Sequence, residues 1–300
     1  MFFRITAGWM VILGLLAGCT VGNTTIATAL PSAIPPTFIP TVSMPTLTPT
    51  TMHPVVTPAP ACLEAEGRVE RTVLTIPQQP KPMAVRVYLP PCYDPGHAGG
   101  YPVLFLFHGQ NYTEDQWEKL GVTTAADELI SSGAAAPFLM VMPQEVYWRV
   151  PPVDSNYESV VLEALIPWVE ETYAVCDLRE CRAVGGLSRG AGWALRLSML
   201  HPDVFSTVGL HSPVVFYGDA SRLPRWLAAI PDGLQPRVWL DYGRSDPEAL
   251  ATEALEKILA DARLPHEYYR NVGGHDAKYW SAHVEEYLRW YAQAWKVEPD

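Results

Sequence analysis

The stretch Ala183–Ala191, with the sequence AVGGLSRGA, places the pattern glycine, any residue, serine, any residue, glycine between a short apolar run and a helix-like segment. A serine in this context lies on a tight, strained strand-to-helix turn, which excludes bulky neighbours. The turn would raise the Ser188 hydroxyl above the end of the strand. The next amide, that of Arg189, would lie at a helix N-terminus, where an oxyanion can be stabilised. The pattern predicts a nucleophilic serine in a strand–turn–helix unit.

Apolar runs that suit buried parallel strands occur on both sides of this unit along the chain. The runs are Val103–Phe107, Phe138–Met142, Ala183–Gly185, Val204–Leu210 and Val238–Leu240, and His266–Asn271 is expected to complete the set of strands. Two earlier segments, Val69–Ile76 and Met83–Leu89, alternate apolar and polar residues, as half-exposed antiparallel strands do. Residues 78–80 would form the turn between these two strands.

Helical patterns separate the later strands. They cover Thr124–Ser131, Tyr157–Tyr173, Ala191–His201, Pro247–Arg263 and Trp280–Trp295. Pro167 is expected to kink the second of them, because proline removes an amide donor and crowds the preceding turn. Strand–helix alternation after an antiparallel start predicts an α/β fold, with a mostly parallel central sheet and helices on both faces. Ligands bind such sheets beyond the carboxyl ends of the strands.

The N-terminal part differs in composition from the rest of the chain. Residues 1–19 contain one positive charge, Arg4, then a short apolar core and Cys19, which is the layout of an export signal. Residues 16–19 also resemble a bacterial lipobox, in which the cysteine is lipidated; an ordinary secretory signal and an uncleaved anchor are the alternatives. Residues 20–60 are rich in Thr and Pro and predict a tether. We expect residues 61–300 to form one catalytic domain.

The net charge of −11 lies almost entirely in the C-terminal part of the chain. An acidic surface argues against nucleic acid as a partner and against a polybasic membrane patch. Any contact with a membrane would therefore be made by the lipid on Cys19, and the protein would be exported to the periplasm or the cell surface.

Four further cysteines, Cys62, Cys92, Cys176 and Cys181, follow the predicted export signal. An even number in an exported chain predicts two disulfides, for which three pairings are available. Closeness in sequence favours Cys176 with Cys181, and Cys62 with Cys92 across the predicted hairpin. No metal site is predicted, because neither a C-x-x-C motif nor a paired histidine spacing is present.

A serine nucleophile needs a base, and His275 is the candidate. It lies in a glycine-flanked loop after the last strand and follows serine and acid in the order serine, acid, histidine. His108 also ends a strand, but it precedes the serine, so we interpret it as a loop-shaping residue with a second candidate role in substrate binding. Asp246 and Asp241 compete as the acid that would orient His275. Asp246 is preferred because its loop can turn back toward the histidine, although an N-cap role would also explain it.

An oxyanion hole needs two backbone amides. One is the amide of Arg189. The segment Phe107–Asn111, FHGQN, follows the first parallel strand, and its glycine permits a tight turn. We assign the second donor to Gln110; a plain strand-to-helix turn is the alternative.

These motifs together resemble the "putative esterase" family of α/β-hydrolases, which includes esterase D-type, feruloyl, acetylxylan and enterochelin esterases and the mycolyltransferases. The resemblance extends from about Val69 to Trp290 and rests on Tyr101–Gly109, Gly186–Gly190, Tyr242–Asp246 and Gly273–Asp276, with Trp280 following. It implies a serine esterase with Ser188 as nucleophile, Asp246 as acid, His275 as base, and no cofactor.

The chain departs from the family where Arg189 replaces a small or apolar residue, often methionine. The Arg189 side chain would either shape the acyl or leaving-group side of the pocket or form a salt bridge nearby. Tyr147, Trp148 and Trp280 are candidate substrate contacts, and loop packing is the alternative for the first two. A small or polysaccharide-linked ester is the expected substrate. Acyl transfer by the same triad and a catalytically silent, surface-tethered binding protein are the competing functions.

Overall fold

A computed structural model describes residues 62–79, 81–146 and 149–295. The predicted signal peptide, the lipidation of Cys19 and the tether lie outside the described residues, and so do the side chains of Tyr147 and Trp148. None of the helices in the described ranges combines the length and the apolarity needed to span a bilayer.

An eight-stranded sheet with the order β1-β2-β4-β3-β5-β6-β7-β8 forms the centre of the molecule. The strands are β1 (Arg68–Leu74), β2 (Met83–Leu89), β3 (Val103–Phe107), β4 (Leu139–Pro143), β5 (Arg182–Leu187), β6 (Thr207–His211), β7 (Arg237–Gly243) and β8 (His266–Asn271). The β1–β2 and β2–β4 pairs are antiparallel, and all other pairs are parallel. The predicted mixed sheet is confirmed.

The helices cover both faces of the sheet. They are α1 (Gln116–Lys119), α2 (Val122–Ser131), α3 (Tyr157–Val160), α4 (Ile166–Thr172), α5 (Arg189–Leu200), α6 (Asp219–Ala229), α7 (Ala249–Asp261) and α8 (Ala277–Ala292). Alternate residues of β3 enter two separate cores. Val103, Phe105 and Phe107 pack with residues of α3 to α7, whereas Leu104 and Leu106 pack with residues of α2 and α8.

The helix predicted over Tyr157–Tyr173 is interrupted by a π-helical segment, Val161–Leu165, between α3 and α4. Pro167, the second residue of α4, lies two residues after this segment and cannot donate the main-chain hydrogen bond that a regular α-helix requires. The structure therefore has a wider, π-helical turn before Pro167 where the sequence predicted a kink. Two helices were not predicted from the sequence: α1 has only four residues, and α6 contains Pro224.

The described residues form two disulfides, Cys62–Cys92 and Cys176–Cys181, with sequence separations of 30 and 5 residues. They are the pairings that closeness in sequence favours. The first joins the segment before β1 to the β2–β3 connection, and the second closes a short loop before β5.

Removing the two disulfides is expected to cost different amounts of stability. The longer loop of Cys62–Cys92 restricts the unfolded chain more, so the Cys62→Ala/Cys92→Ala variant should lose about 3.5 kcal/mol, and the Cys176→Ala/Cys181→Ala variant about 2 kcal/mol. Urea unfolding of both variants measures this difference. A larger loss on removing the short-loop disulfide would contradict the prediction.

Candidate active site

Ser188 occupies the turn between β5 and α5 in a strained conformation, with φ 53° and ψ −114°. Positive φ is uncommon for a residue with a side chain and marks a position that the surrounding structure enforces. Its N–H donates to the carbonyl of His211 at 3.0 Å, and its carbonyl accepts from the Val214 amide at 3.1 Å. The segment after β6 therefore runs along the turn and fixes it.

This turn requires glycine at positions 186 and 190, because neither position has room for a side chain. A Cβ atom on Gly186 would lie 2.2 Å from the carbonyl carbon of Gly190. A Cβ atom on Gly190 would lie 2.3 Å from the carbonyl oxygen of Phe107, at the end of β3. Both distances are far below van der Waals contact, so the pattern around Ser188 reflects the close packing of α5 against β5 and β3.

His275 and Asp246 are hydrogen-bonded to each other. His275 Nδ1 lies 2.9 and 3.0 Å from the two carboxylate oxygens of Asp246. Asp246 is buried in the loop after β7, and His275 lies between β8 and α8. The Trp280 ring packs nearly perpendicular to the imidazole, with 5.1 Å between ring centroids. The structure thus brings the predicted acid and base together.

Asp241 is engaged elsewhere. It is fully buried within β7, two residues before the end of that strand. It accepts hydrogen bonds from four side chains: His211 Nδ1 (2.7 Å), Trp239 Nε1 (2.8 Å), Tyr279 Oη (2.6 Å) and Tyr287 Oη (2.8 Å). These groups belong to β6, β7 and α8. Of the two aspartates that the sequence left in competition, only Asp246 contacts His275 among the described residues.

The pKa of the Asp246 carboxyl lies below its ordinary value. Burial alone would raise that pKa, but hydrogen bonds from His275 and from the Glu248 amide (2.8 Å) outweigh it, and Ser212 acts in the same direction. Ser212 follows β6, is fully buried and accepts a hydrogen bond from Trp280 Nε1 at 3.2 Å. Sequence reasoning missed Ser212, although its place at the carboxyl end of a parallel strand was an available signal.

This lowered pKa makes the Asp246 carboxylate a source of pH-dependent stability. A group whose pKa is lower in the folded state stabilises that state above the unfolded-state value of about 4, and the contribution is lost as the pH falls through the folded-state pKa. The difference in free energy of unfolding between the wild type and Asp246→Asn should therefore shrink below about pH 4. Urea unfolding across that range measures it, and a difference that grows at low pH would contradict the prediction.

His108 shapes the loop that carries Gln110. The imidazole is buried, which lowers its pKa, and its Nε2 accepts a hydrogen bond from the Glu145 amide at 2.8 Å. Its Nδ1 therefore carries the proton and donates to the Gly109 carbonyl at 2.8 Å. The Gly109 amide donates to Gln116 Oε1 at 2.7 Å. Within the described part of the chain, the Gln110 amide has no hydrogen-bond partner.

The Arg189 side chain forms a buried salt bridge, the second of the two alternatives that the sequence left open. Its Nε and Nη2 donate to the two carboxylate oxygens of Glu145 at 2.7 and 2.6 Å. Nη2 also lies 3.2 Å from the Val150 carbonyl, and the guanidinium lies over the Phe216 ring at 5.4 Å. The donors of this guanidinium are thus directed at Glu145 and the β4–α3 loop.

The other sequence-predicted contacts are placed as follows. His108 and Trp280 are buried, with their polar atoms bonded to protein groups, and Tyr147 and Trp148 lie outside the described residues. Exposed apolar side chains occur instead in the loops that follow four parallel strands: Tyr112, Val153, Tyr217 and Val272. In the described ranges, no group of three or more His, Cys, Asp or Glu side chains could hold a metal ion.

Sequence comparison links the chain to esterases. A family model described as "Putative esterase" matches residues 77–296. "Esterase Rv1288" of Mycobacterium tuberculosis is 30% identical over 136 residues, which cover 42% of this chain and 28% of that protein. "Endo-1,4-beta-xylanase/feruloyl esterase" of Xylanibacter ruminicola is 25% identical over 169 residues, or 53% of this chain and 23% of that protein. The matched part spans about a quarter of the length of these relatives.

Solved structures share the fold at low sequence identity. A ferulic acid esterase superposes with a TM-score of 0.67 at 22% identity, covering 76% of this chain and 98% of that one. A ferulic acid esterase from Anaeromyces mucronatus, in complex with ferulic acid, gives 0.64 at 19% identity, covering 77% and 93%. The predicted α/β-hydrolase fold is confirmed. Because the family model covers most of the sequence, the chain belongs to the family described as "Putative esterase".

Proposed function

We propose that the protein is a serine carboxylic-ester hydrolase in which Ser188 is the nucleophile, His275 the base and Asp246 the orienting acid. The observation that carries the proposal is the His275–Asp246 hydrogen bond, formed at the carboxyl ends of strands on the same sheet edge as the Ser188 turn. Ser212 links the two halves of the site. It adjoins His211, whose carbonyl accepts from the Ser188 amide, and it contacts Trp280 beside His275.

The reaction begins when the Ser188 hydroxyl oxygen attacks the carbonyl carbon of the ester and its proton passes to His275 Nε2. Asp246 holds Nδ1–H, which leaves Nε2 free to accept that proton, and its negative charge stabilises the imidazolium. The carbonyl oxygen becomes an oxyanion and is bound by the amides of Gln110 and Arg189. Arg189 is the first residue of α5, so its amide has no acceptor within the helix.

Collapse of the tetrahedral intermediate breaks the ester C–O bond. The alcohol leaves with the proton from His275, and the acyl group remains on Ser188. A water molecule then attacks the acyl carbonyl and gives its proton to His275, and the carboxylic acid leaves as Ser188 recovers its proton. Apart from the ester and this water molecule, each step uses side chains and amides of this chain.

Exposed apolar residues around the site favour an ester with a bulky acyl or alcohol group. Tyr112 lies in the loop after β3, close in sequence to Gln110, and Tyr217 lies in the loop after β6; both side chains are exposed. Exposed aromatic rings can stack on sugar or aromatic groups. Together with the feruloyl esterase relatives, they support a carbohydrate-linked or aromatic ester as the substrate.

The two disulfides support a location outside the cytoplasm. We propose that the protein is exported, with the lipid on Cys19 as its membrane anchor. Mass spectrometry of the mature N-terminus in the native host tests the anchor, because an unmodified cysteine there would exclude it.

Hydrolysis of acetyl, feruloyl and longer-chain esters by the purified full chain tests the proposed function. We expect turnover of at least one class, and modification of Ser188 by a fluorophosphonate, located by peptide mass spectrometry. A chain that hydrolyses none of these esters and does not react with the fluorophosphonate would contradict the proposal.

A further inference from the structure

The Glu145–Arg189 ion pair is buried beside the nucleophile, with side-chain exposures of 4% for Glu145 and 10% for Arg189. Buried ion pairs are seldom more stabilising than apolar residues of similar volume, because desolvation offsets the attraction. The pair is also specific in geometry, since two nitrogens of Arg189 meet two oxygens of Glu145. Fold stability alone therefore does not account for it.

Glu145 is connected to the Gln110 amide through hydrogen bonds of His108. The main-chain N–H of Glu145 holds His108 Nε2, and His108 Nδ1–H holds the Gly109 carbonyl. That carbonyl belongs to the same peptide unit as the Gln110 N–H. In a planar trans peptide the C=O and the N–H point in opposite directions, so fixing the oxygen fixes the direction of the N–H.

Arg189, the partner of Glu145 in the ion pair, supplies the second proposed oxyanion donor. The Arg189 side chain binds the Glu145 carboxylate, and the Arg189 main-chain amide is the donor itself. A continuous series of hydrogen bonds thus runs from one donor to the other, through His108, Glu145 and Arg189. Its members lie after β3, after β4 and after β5, so three separate loops are held in one arrangement.

We propose that Glu145 and the Arg189 side chain are positioning residues that set the spacing and orientation of the two oxyanion donors. This inference rests on the proposed esterase function. A donor contributes only if it lies at hydrogen-bond distance from the oxyanion in the transition state, so a small displacement weakens catalysis while leaving ground-state binding nearly unchanged.

The test is the Glu145→Leu/Arg189→Met variant, which keeps the buried volume and the Glu145 amide but removes both charges. We expect kcat/KM to fall by about tenfold or more, chiefly through kcat, because loss of a whole oxyanion donor costs about 100- to 1,000-fold. The inhibition constant of a trifluoromethyl ketone should rise by a similar factor. Its adduct with Ser188 carries an oxyanion, whereas KM for the ester reports mainly ground-state binding.

Arg189→Lys provides a second variant that keeps the charge but not the two-point geometry. As in the double variant, we expect kcat to fall and the inhibition constant to rise. The matched control is Arg196→Met/Asp219→Leu. It removes the Arg196–Asp219 ion pair of α5, with a 2.9 Å contact and side-chain exposures of 14% and 4%, together with the 2.8 Å contact of Arg196 with Glu158. Both contacts lie near the C-terminal end of α5, away from the Ser188 turn. The control should lower the melting temperature and leave kcat within about twofold, as expected for a purely structural pair.

Wild-type kcat/KM and an unchanged inhibition constant in a folded double variant, or in Arg189→Lys if the double variant does not fold, would overturn the inference. That result leaves the esterase proposal standing, because the wild type turns over in the same assay. A wild type that hydrolyses no ester would overturn both.

Discussion

Replacement of Ser188 with alanine is expected to lower kcat for ester hydrolysis by about a million-fold, the scale of loss measured when a triad serine is removed from other hydrolases. Without the hydroxyl no acyl-enzyme can form, so only the binding and oxyanion-stabilising contributions remain. Hydrolysis of p-nitrophenyl acetate measures the effect, and fluorophosphonate modification should disappear in parallel.

Ser198→Ala is the matched control for this variant. Ser198 is a buried serine on α5, the same helix that begins after Ser188, and its hydroxyl donates to the Leu195 carbonyl. Its removal should leave kcat within about twofold, since it lies outside the proposed catalytic groups. Hydrolysis by Ser188→Ala at the rate of this control would refute the nucleophile assignment.

Asp246→Asn is expected to lower kcat by about 10,000-fold, by analogy with the same change in a serine protease triad. The asparagine amide would donate to His275 Nδ1 instead of accepting from it. The imidazole would then carry its proton on Nε2, where it cannot accept the proton of Ser188. The loss should fall on kcat rather than on KM, because no contact with the substrate is removed.

Asp241→Asn is the informative comparison, because its effect should be on stability. Asp241 accepts four hydrogen bonds in a fully buried site, and each buried donor left without an acceptor costs about 1–3 kcal/mol. We expect a large fall in the urea midpoint and a much smaller fall in kcat under conditions where the variant is folded. A greater loss of kcat in Asp241→Asn than in Asp246→Asn would exchange the proposed roles of the two aspartates.

The predictions from sequence succeeded where a local pattern determines the structure. The glycines around Ser188 are dictated by contacts closer than van der Waals distance, so the strand–turn–helix unit could be predicted from a few residues. Apolar runs identified the parallel strands β3 to β7, although β5 and β7 extend up to three residues further than their apolar cores. The last strand, β8, was predicted at the correct bounds from a largely polar run. Toward the carboxyl ends these extensions include Gly186, Asp241 and Gly243, which interrupt the apolar pattern that defined the predicted strands.

Contacts between residues that are far apart in the sequence could not be predicted, because they depend on the paths of the loops between them. Arg189 and Glu145 are 44 residues apart, so the salt bridge could be named only as one alternative. The preference for Asp246 over Asp241 relied on the direction of a loop that no local pattern determines. Helix α6 was also missed. It contains Pro224 in its interior, where a proline normally argues against a helix.

The hydrogen bonds around Asp241 also set a condition on when the proposed active site can form during biosynthesis. They join β6 and β7 to Tyr279 and Tyr287 of α8, and His211 also contacts Tyr291, near the C-terminal end of that helix. Until the ribosome has released α8, Asp241 lacks its tyrosine partners, and Trp280 is not yet in place beside His275. Ester hydrolysis by the proposed site should therefore begin only after α8 has been synthesised and has docked on the sheet.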